Sequence, residues 1–196
     1  MSVSTRTAIA ALIVLAAPAT HAAEDLLGVS HAAADKWAGP FVGGQVGVNN
    51  TSATGLSNEN GFEGGVSLGY NTLAGAASLG SPAVLGADFF TEFNSEEVHS
   101  GNVSYGSNVL GMDFLAGYPL GVGRQFMPYL KFGFGDINAT GDLSRNGSGV
   151  GARVGVGAEL WLNPGLGLVA QWIHQTGNSI TNDNFTLGVN YHFGTQ

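Results

Sequence analysis

Residues Phe185–Phe193 read FTLGVNYHF, and this stretch decides how the rest of the chain is interpreted. An aromatic or aliphatic residue stands at every odd position, and Thr, Gly, Asn or His stands at every even one. Successive side chains of a β-strand point to opposite faces. An alternation kept over nine residues therefore predicts a strand with one apolar and one polar face.

The same alternation recurs along the chain. Ala152–Leu160 reads ARVGVGAEL, with the apolar residues at even positions. Applied throughout, the pattern predicts eight strands, at residues 40–50, 61–72, 83–93, 108–118, 127–137, 150–161, 165–174 and 184–193. Each is near the roughly 9–11 residues with which a tilted strand crosses a bilayer.

The connections between these strands alternate in length. Long polar connections rich in Asn, Ser, Thr and Gly are predicted at 50–60, 94–107, 138–149 and 175–183. Those at 119–126 and 162–164 are short, and the one at 73–82 is intermediate. This layout, with an even number of strands, is typical of bacterial outer-membrane barrels. The predicted fold is therefore all-β: an eight-stranded antiparallel up-and-down transmembrane β-barrel.

The composition excludes several other fold classes. Hydrophobic residues make up 44% of the chain, charged residues only 10%, and there are 32 glycines. Soluble domains average about 25% charged residues and about 7% glycine. No stretch after the N-terminus approaches the roughly 18 consecutive apolar residues of a membrane helix, which excludes a helical bundle. A soluble β-sandwich, the alternative for alternating strands, would carry more charge on its polar face.

The charge and the cysteine count exclude further functions. The formal net charge is −8, and Lys and Arg are nowhere clustered, so the basic surface needed for nucleic acid is missing. The chain has no cysteine, which excludes disulfides, thiolate catalysis and Cys-ligated metals.

The N-terminus has the pattern of a secretory signal peptide. A short polar start ending at Arg6 precedes the apolar run Ala8–Ala17, and Thr20 and Ala22 supply the small residues of a cleavage site. We therefore predict a signal peptide at 1–22, an N-terminal lead-in at 23–39 and the barrel at 40–193.

Four segments resemble one known family. WAGPFVGGQVG at 37–47, VLGADF at 84–89, PYLKFG at 128–133 and LGVNYHF at 187–193 are similar to the first, third, fifth and last strands of small Gram-negative outer-membrane β-barrels, the porin-like, opacity/OmpA-type family. The likeness covers essentially all of 37–193. Members usually end on the aromatic residue that the barrel-assembly machinery reads, whereas Gly194, Thr195 and Gln196 follow Phe193 here.

Strand parity assigns side chains to two faces of the predicted barrel. The inward positions hold a predicted lumen charge network: Glu63, Asp88, Glu92, Asp113, Lys131, Arg153 and Glu159. The outward positions are apolar, and the aromatic residues at strand ends on the short-turn side form a predicted interfacial girdle: Tyr70, Tyr118, Tyr191 and Phe193. An eight-stranded barrel has an interior just wide enough for side chains to fill, so we expect the charges to fill it.

The expected function is structural, in the outer membrane of the cell. The chain would contribute to envelope integrity and present its loops to the outside. The expected partners are outer-membrane lipid and lipopolysaccharide, the barrel-assembly machinery through the C-terminal strand, and host or envelope ligands at the loops. No cofactor is expected. A narrow ion-conducting pore is the alternative, because five inward acids face two inward bases.

An enzymatic alternative rests on His174, Thr176 and Asn178. They loosely resemble the His-x-Ser-Asn motif of outer-membrane lipid A deacylases, with Thr176 at the nucleophile position. The acid expected on the last strand falls near Thr186, which is not acidic, so the histidine would lack an orienting carboxylate. We therefore predict that the protein is not an enzyme.

No metal site is expected. Asp136–Asp142 resembles the start of a calcium loop, but Gly147 stands where the loop needs its last acid. Glu96, Glu97 and His99 could hold a cation, although a solvated loop face is the expected role.

Overall fold

The computed structural model describes residues 34–53, 59–74, 82–94, 98–100, 103–142, 148–177 and 180–193. The predicted signal peptide and residues 23–33 of the lead-in lie outside this part of the chain. The described residues form nine strands: β1 (Gly39–Ala53), β2 (Glu59–Ala74), β3 (Ala83–Asn94), β4 (Val98–Ser100), β5 (Val103–Gly117), β6 (Phe126–Gly141), β7 (Ser148–Asn163), β8 (Leu166–Gly177) and β9 (Ile180–His192). The same residues also contain two single-turn 3₁₀ helices, η1 (Asp35–Trp37) and η2 (Val122–Arg124).

The long strands form one closed antiparallel sheet. Each pairs with its neighbours in sequence, and β3 pairs with β5, while the three-residue β4 pairs only with β5. The first and last strands close the ring, in a register that runs from Phe41 opposite His192 to Ala53 opposite Ile180. The prediction of an eight-stranded up-and-down barrel is confirmed. No helix among the described residues is long and apolar enough to span a membrane.

Several strands continue further than the apolar alternation. The predicted long connection at 175–183 is wrong, because β8 and β9 remain paired through Gln175 opposite Asn182 and Thr176 opposite Thr181. Likewise β6 runs to Gly141, and β4 lies within the predicted connection 94–107. Backbone hydrogen bonds can form between two strands whatever their side chains are, so pairing continues where the side chains become polar. The apolar pattern therefore marks the lipid-facing part of a strand and not its end.

The two ends of the barrel differ. We call the end at which β1 begins and β9 ends, and at which β2 connects to β3, β5 to β6 and β7 to β8, the terminal end. The opposite end, with the connections at 54–58, 95–102, 142–147 and 178–179, is the loop end. In the described strands, the outward charged side chains stand near the loop end, namely Asp136 and Asp183. The strands therefore extend past the apolar surface at the loop end.

The outer surface of the barrel is apolar. Phe62, Val46 and Leu130 are 70%, 67% and 60% exposed, and the rings of Phe114 and Phe132 stack across β5 and β6 at 5.4 Å. Such a surface would drive aggregation in water. In lipid tails it is the surface that an outer-membrane barrel requires.

The lumen is filled in three layers. At the terminal end lies an apolar layer built from Ala34, Trp37, Val84, Leu115, Met127, Tyr129, Trp161 and Val169. Charged and amide side chains occupy the middle. At the loop end a second apolar cluster lies beside polar side chains and consists of Phe90, Val109, Ile137, Ala139 and Ile180. The interior is therefore a packed core.

Inward glycines make room for large neighbours in this core. A Cβ atom on Gly157 would lie 2.5 Å from Tyr129 Cζ and 2.6 Å from its hydroxyl oxygen. That ring is buried, and its hydroxyl donates a hydrogen bond to Gln171 Oε1 at 3.0 Å. The tyrosine therefore has little freedom to move away.

This packing yields a stability prediction. Gly157→Ala is expected to lower the free energy of unfolding by about 1–3 kcal/mol, as overpacking of a filled core does. Urea unfolding in lipid vesicles, followed by tryptophan fluorescence, measures the change. Gly44→Ala is the matched control, because a Cβ there meets nothing within 4 Å. Equal midpoints for the two variants would contradict this, because they would show that the Tyr129 ring moves aside at no measurable cost.

Candidate functional site

The structure places all seven residues of the predicted lumen network inside the barrel. Six of these side chains are buried, and that of Lys131 is 11% exposed. They come from β2, β3, β5, β6 and β7. Six of the seven form ion pairs or charge-assisted hydrogen bonds to one another or to His192, as described below.

Arg153 is the centre of the charged layer. Its Nη1 donates to Glu92 Oε2 at 2.7 Å, Nη2 donates to Glu92 Oε1, and Nε donates to Asp113 Oδ2 at 3.0 Å. Nη1 also donates to Gln175 Oε1 at 2.9 Å, and the guanidinium carbon lies 4.0 Å from the Phe90 ring centroid. A planar guanidinium suits such a multidentate site. One side chain thus ties β7 to β3, β5 and β8.

Lys131 supplies the second base. Its Nζ lies 2.9 Å from Asp88 Oδ2 and 3.8 Å from Asp113 Oδ2. Asp113 is therefore shared between Lys131 and Arg153. Because removal of one partner leaves a buried charge uncompensated, such pairs are costly to break.

Amide side chains extend the charged layer across the lumen. Gln45 Nε2 donates to Glu92 Oε1 at 3.0 Å, and Gln171 Nε2 donates to Gln45 Oε1 at 2.6 Å. With the Tyr129 hydroxyl bound to Gln171, the chain of hydrogen bonds reaches the apolar layer. The cavity in this layer measures about 20 Å³, room for about one water molecule.

The terminal end is closed by residues of the predicted lead-in. Trp37 is fully buried, its Nε1 donates to Arg124 O at 2.9 Å, and its ring meets that of Trp161 edge-on at 5.1 Å. Lys36 Nζ donates to Gly123 O at 2.6 Å. Partial burial lowers the pKa of the Lys36 ammonium. The sequence alone predicts only a lead-in at 23–39, although a tryptophan just before the first strand is a usable signal of such a role.

A histidine–glutamate pair lies beneath this closure. His192 Nε2 and Glu159 Oε1 are 2.7 Å apart, and Asn190 Nδ2 donates to Glu159 Oε2 at 2.9 Å. The His192 ring lies 5.1 Å from that of Trp161 and 5.5 Å from that of Phe41. Glu159 is thus separate from the Arg153 centre.

The four aromatic residues of the predicted girdle lie at the terminal end. Tyr70 stands opposite Pro40, and the Tyr118 backbone amide donates to Pro128 O at 3.0 Å. Tyr191 and Phe193 are about half exposed, and their rings meet edge-on at 5.0 Å. All four are on outward positions, where an interfacial ring would be.

The prediction that His174 lacks an orienting carboxylate is wrong. Asp183 on β9 is its direct register partner, and His174 Nδ1 lies 2.9 Å from Asp183 Oδ1. The motif comparison placed the acid near Thr186, whereas the tight β8–β9 hairpin brings Asp183 opposite the histidine. Thr176 lies two residues on, on the same outward face, and accepts a hydrogen bond from Thr181 Oγ1 at 3.5 Å. Asn178 lies outside the described residues.

No metal centre of the kinds considered from the sequence is assembled in the described residues. That part of the chain contains no group of three or more His, Cys, Asp or Glu side chains placed to hold a metal ion. Glu96, Glu97 and Gly147, together with the side chain of His99, lie outside it.

The Arg153 centre yields a second prediction. Arg153→Met leaves Glu92 and Asp113 buried without their shared base, and we expect a loss of about 3–5 kcal/mol in the free energy of unfolding. The same vesicle unfolding assay measures it. The triple variant Arg153→Met/Glu92→Gln/Asp113→Asn should recover most of the loss, because it removes the uncompensated charges. A single variant as stable as the wild type would show that this centre does not hold the strands together.

Comparison with known proteins agrees with this architecture. The family model described as "Outer membrane protein beta-barrel domain" matches residues 7–193. Among curated proteins, none matches this sequence. Similar solved structures include Neisserial surface protein A, with a TM-score of 0.57, 17% identity and coverage of 79% of this chain and 97% of that one. The outer membrane enzyme PagL has a TM-score of 0.51, 15% identity and coverage of 78% and 99%.

These structural likenesses concern the fold alone, whereas the match to the family model spans the whole barrel and most of the residues that precede it. The chain therefore belongs to the outer membrane β-barrel protein family, and its place is the outer membrane of the cell.

Proposed function

We propose that this protein is a sealed structural barrel that strengthens the outer membrane and presents its loop end to the outside. The observation that carries the proposal is the filled lumen. Three successive layers of buried side chains occupy it from the terminal end to the loop end. Neither ion conduction nor catalysis is part of this role.

The lumen offers poor conditions for an ion in transit. Trp37 and Trp161 close the terminal end, and the bidentate Arg153–Glu92 pair crosses the middle. A cation passing through would have to break these contacts and shed its water in a space of about 20 Å³. Buried ion pairs resist that change because each broken pair leaves an uncompensated charge.

The outer surface supports the expected partners. Its apolar side chains suit lipid acyl chains, and the polar strand ends at the loop end suit the headgroup sugars of lipopolysaccharide. The last strand, β9, pairs with β1 to close the barrel, so it is the strand through which the assembly machinery would complete folding. Host or envelope ligands would meet the connections at the loop end.

Conductance tests the sealed barrel. The purified protein in planar lipid bilayers is expected to give no unitary current steps, because buried side chains fill the lumen of the described strands. A general porin inserted into the same bilayers is the positive control. Stable steps whose size changes in Lys131→Met or Arg153→Met would replace the structural proposal with the narrow pore.

A second candidate function, hydrolysis of an outer-leaflet lipid, is favoured by one observation. His174 has a carboxylate partner, Asp183, at 2.9 Å on the lipid-facing side near the loop end. A carboxylate that orients a histidine is half of the arrangement that activates a hydroxyl nucleophile. Thr176 on the same face would be that nucleophile. PagL, which shares the fold, is described as an outer membrane enzyme.

Mass spectra of lipid A discriminate the two functions. The structural proposal predicts identical spectra from cells with and without the protein. A species lacking an acyl chain that depends on the wild-type protein, and that is lost in both His174→Ala and Asp183→Asn, would establish the hydrolase instead. Leu187→Ala is the matched control, because it changes a lipid-facing residue of the same strand but leaves Thr176 and the His174–Asp183 pair in place.

A further inference from the structure

A polar pocket lies in the lumen above the Arg153 centre, on the side of the loop end. It surrounds Gly47, whose register partners are Glu63 on β2 and Thr186 on β9. Asn49 stands opposite Asn184, and Glu63 stands opposite Asn94 on β3. A Cβ atom on Gly47 would lie 2.1 Å from Phe185 O and 2.8 Å from Thr186 Cγ2. Without a side chain there, β1 lies close to β9, and inward side chains from four adjacent strands come together beside it. We call the group Asn49, Glu63, Asn94, Asn184 and Thr186 the Glu63 pocket.

Several polar atoms of the pocket lack a protein partner although the pocket is deeply buried. Its five side chains belong to residues at most 4% exposed. Within the described part of the chain, five oxygen atoms of these side chains have no hydrogen-bond partner: Asn49 Oδ1, Glu63 Oε2, Asn94 Oδ1, Asn184 Oδ1 and Thr186 Oγ1. Buried polar atoms are nearly always satisfied, so a concentration of unsatisfied ones indicates a missing partner.

Two of these oxygens belong to amide groups whose nitrogen atoms already donate hydrogen bonds, and these bonds fix the orientation of the amide. Asn49 Nδ2 donates to Thr51 Oγ1 at 2.6 Å, and Asn94 Nδ2 donates to Ser107 Oγ at 3.0 Å. These bonds belong to a polar ring in which Thr51 donates to Asn182 Oδ1 and Asn182 donates to Ser107. Since the amide nitrogens are engaged in the ring, the amide oxygens remain available to a ligand.

The charge of the pocket is also unbalanced. Asp88, Asp113 and Glu92 share Lys131 and Arg153, and among the described residues Glu63 forms no ion pair. The Glu63 carboxyl is bordered by the Asn184 amide and by the Glu92 carboxyl. Gln45 Nε2 also donates to Glu63 Oε1 at 3.4 Å, and the Arg153 guanidinium, which is paired with Glu92 and Asp113, attracts Glu63 from a greater distance. A buried carboxylate in such a setting requires a counter-charge or a proton.

Acceptors in the pocket outnumber donors. Four of the unsatisfied oxygens are carboxylate or amide oxygens, whereas only Asn184 Nδ2 and the Thr186 hydroxyl can donate. A cation would correct both the excess of negative charge and the excess of acceptors, because it binds oxygen atoms and requires no hydrogen-bond donor from the protein. Hard cations prefer carboxylate, amide and other oxygen ligands.

We propose that the Glu63 pocket binds a hard cation, with the Glu63 carboxylate as its charged ligand and the Asn49, Asn94, Asn184 and Thr186 oxygens as neutral ligands. The cation neutralises part of the excess negative charge of the lumen. The polar ring on one side and the Arg153 centre on the other enclose it, so it enters as the barrel folds and leaves slowly. A site with one free carboxylate differs from the acid and histidine clusters that hold transition metals.

The test uses thermal unfolding of the mature protein, refolded from inclusion bodies into a zwitterionic detergent and therefore free of lipopolysaccharide. The starting buffer contains choline chloride and EDTA. Refolding and unfolding are repeated with CaCl₂ or with NaCl replacing choline at constant ionic strength. At a concentration tenfold above half-saturation, the cation that binds should raise the midpoint by about 3–6 °C.

Variants locate the effect. Glu63→Gln removes the charged ligand and should abolish the shift, whereas Glu159→Gln, the same change at the terminal end, should retain it. Should Glu63→Gln fail to refold, Asn184→Leu removes one neutral ligand and is expected to raise the half-saturating concentration at least tenfold. The midpoint shift in CaCl₂, compared with that in NaCl, decides which cation the pocket binds.

Three outcomes would overturn the proposal. One is a wild-type midpoint that neither cation moves. Another is an equal shift in Glu63→Gln, which would place the cation elsewhere. The third is a Glu63→Gln variant that is more stable than a cation-insensitive wild type, since this would show that Glu63 carries a proton.

Discussion

The pairing of β1 with β9 is the constraint on which the rest of the structure depends. A strand in a bilayer has no water to satisfy its backbone groups, so an open sheet edge is not tolerated there. The register from Phe41 opposite His192 to Ala53 opposite Ile180 closes the ring and removes both edges. With eight long strands, closure sets a narrow interior that side chains must fill.

The chemistry of the lumen follows from that narrow interior. Side chains that cannot reach water must find partners, and Arg153 meets this demand by binding Glu92 and Asp113 together. Glycine at Gly157 leaves the volume that Tyr129 occupies. Asp88, Glu92 and Asp113 each lie beside a base, whereas the described residues give Glu63 no ion-pair partner. The cation proposed for the Glu63 pocket would supply that missing positive charge.

Alternation alone could place each strand and each face, because the side-chain period of a strand is two residues wherever the strand lies. It therefore assigned Lys131 and Arg153 to the interior before any partner was known. It could not find strand ends: β8 and β9 continue to Gly177 and Ile180, where polar side chains replace apolar ones but backbone pairing persists. Alternation also could not assign a role to Trp37, because the role of a side chain that closes one end of the barrel depends on the residues that it covers.

The sequence by itself determined the fold class, the number of long barrel strands and which residues face lipid, since all three depend on local periodicity and composition. Only the tertiary structure decided which side chains meet. Asp183 lies opposite His174 through the register of a tight hairpin, and Glu63 is grouped with Asn184 because β1 lies between their strands in the closed ring. Contacts of this kind depend on register and closure, which couple residues far apart in the chain and leave no periodic trace in the sequence.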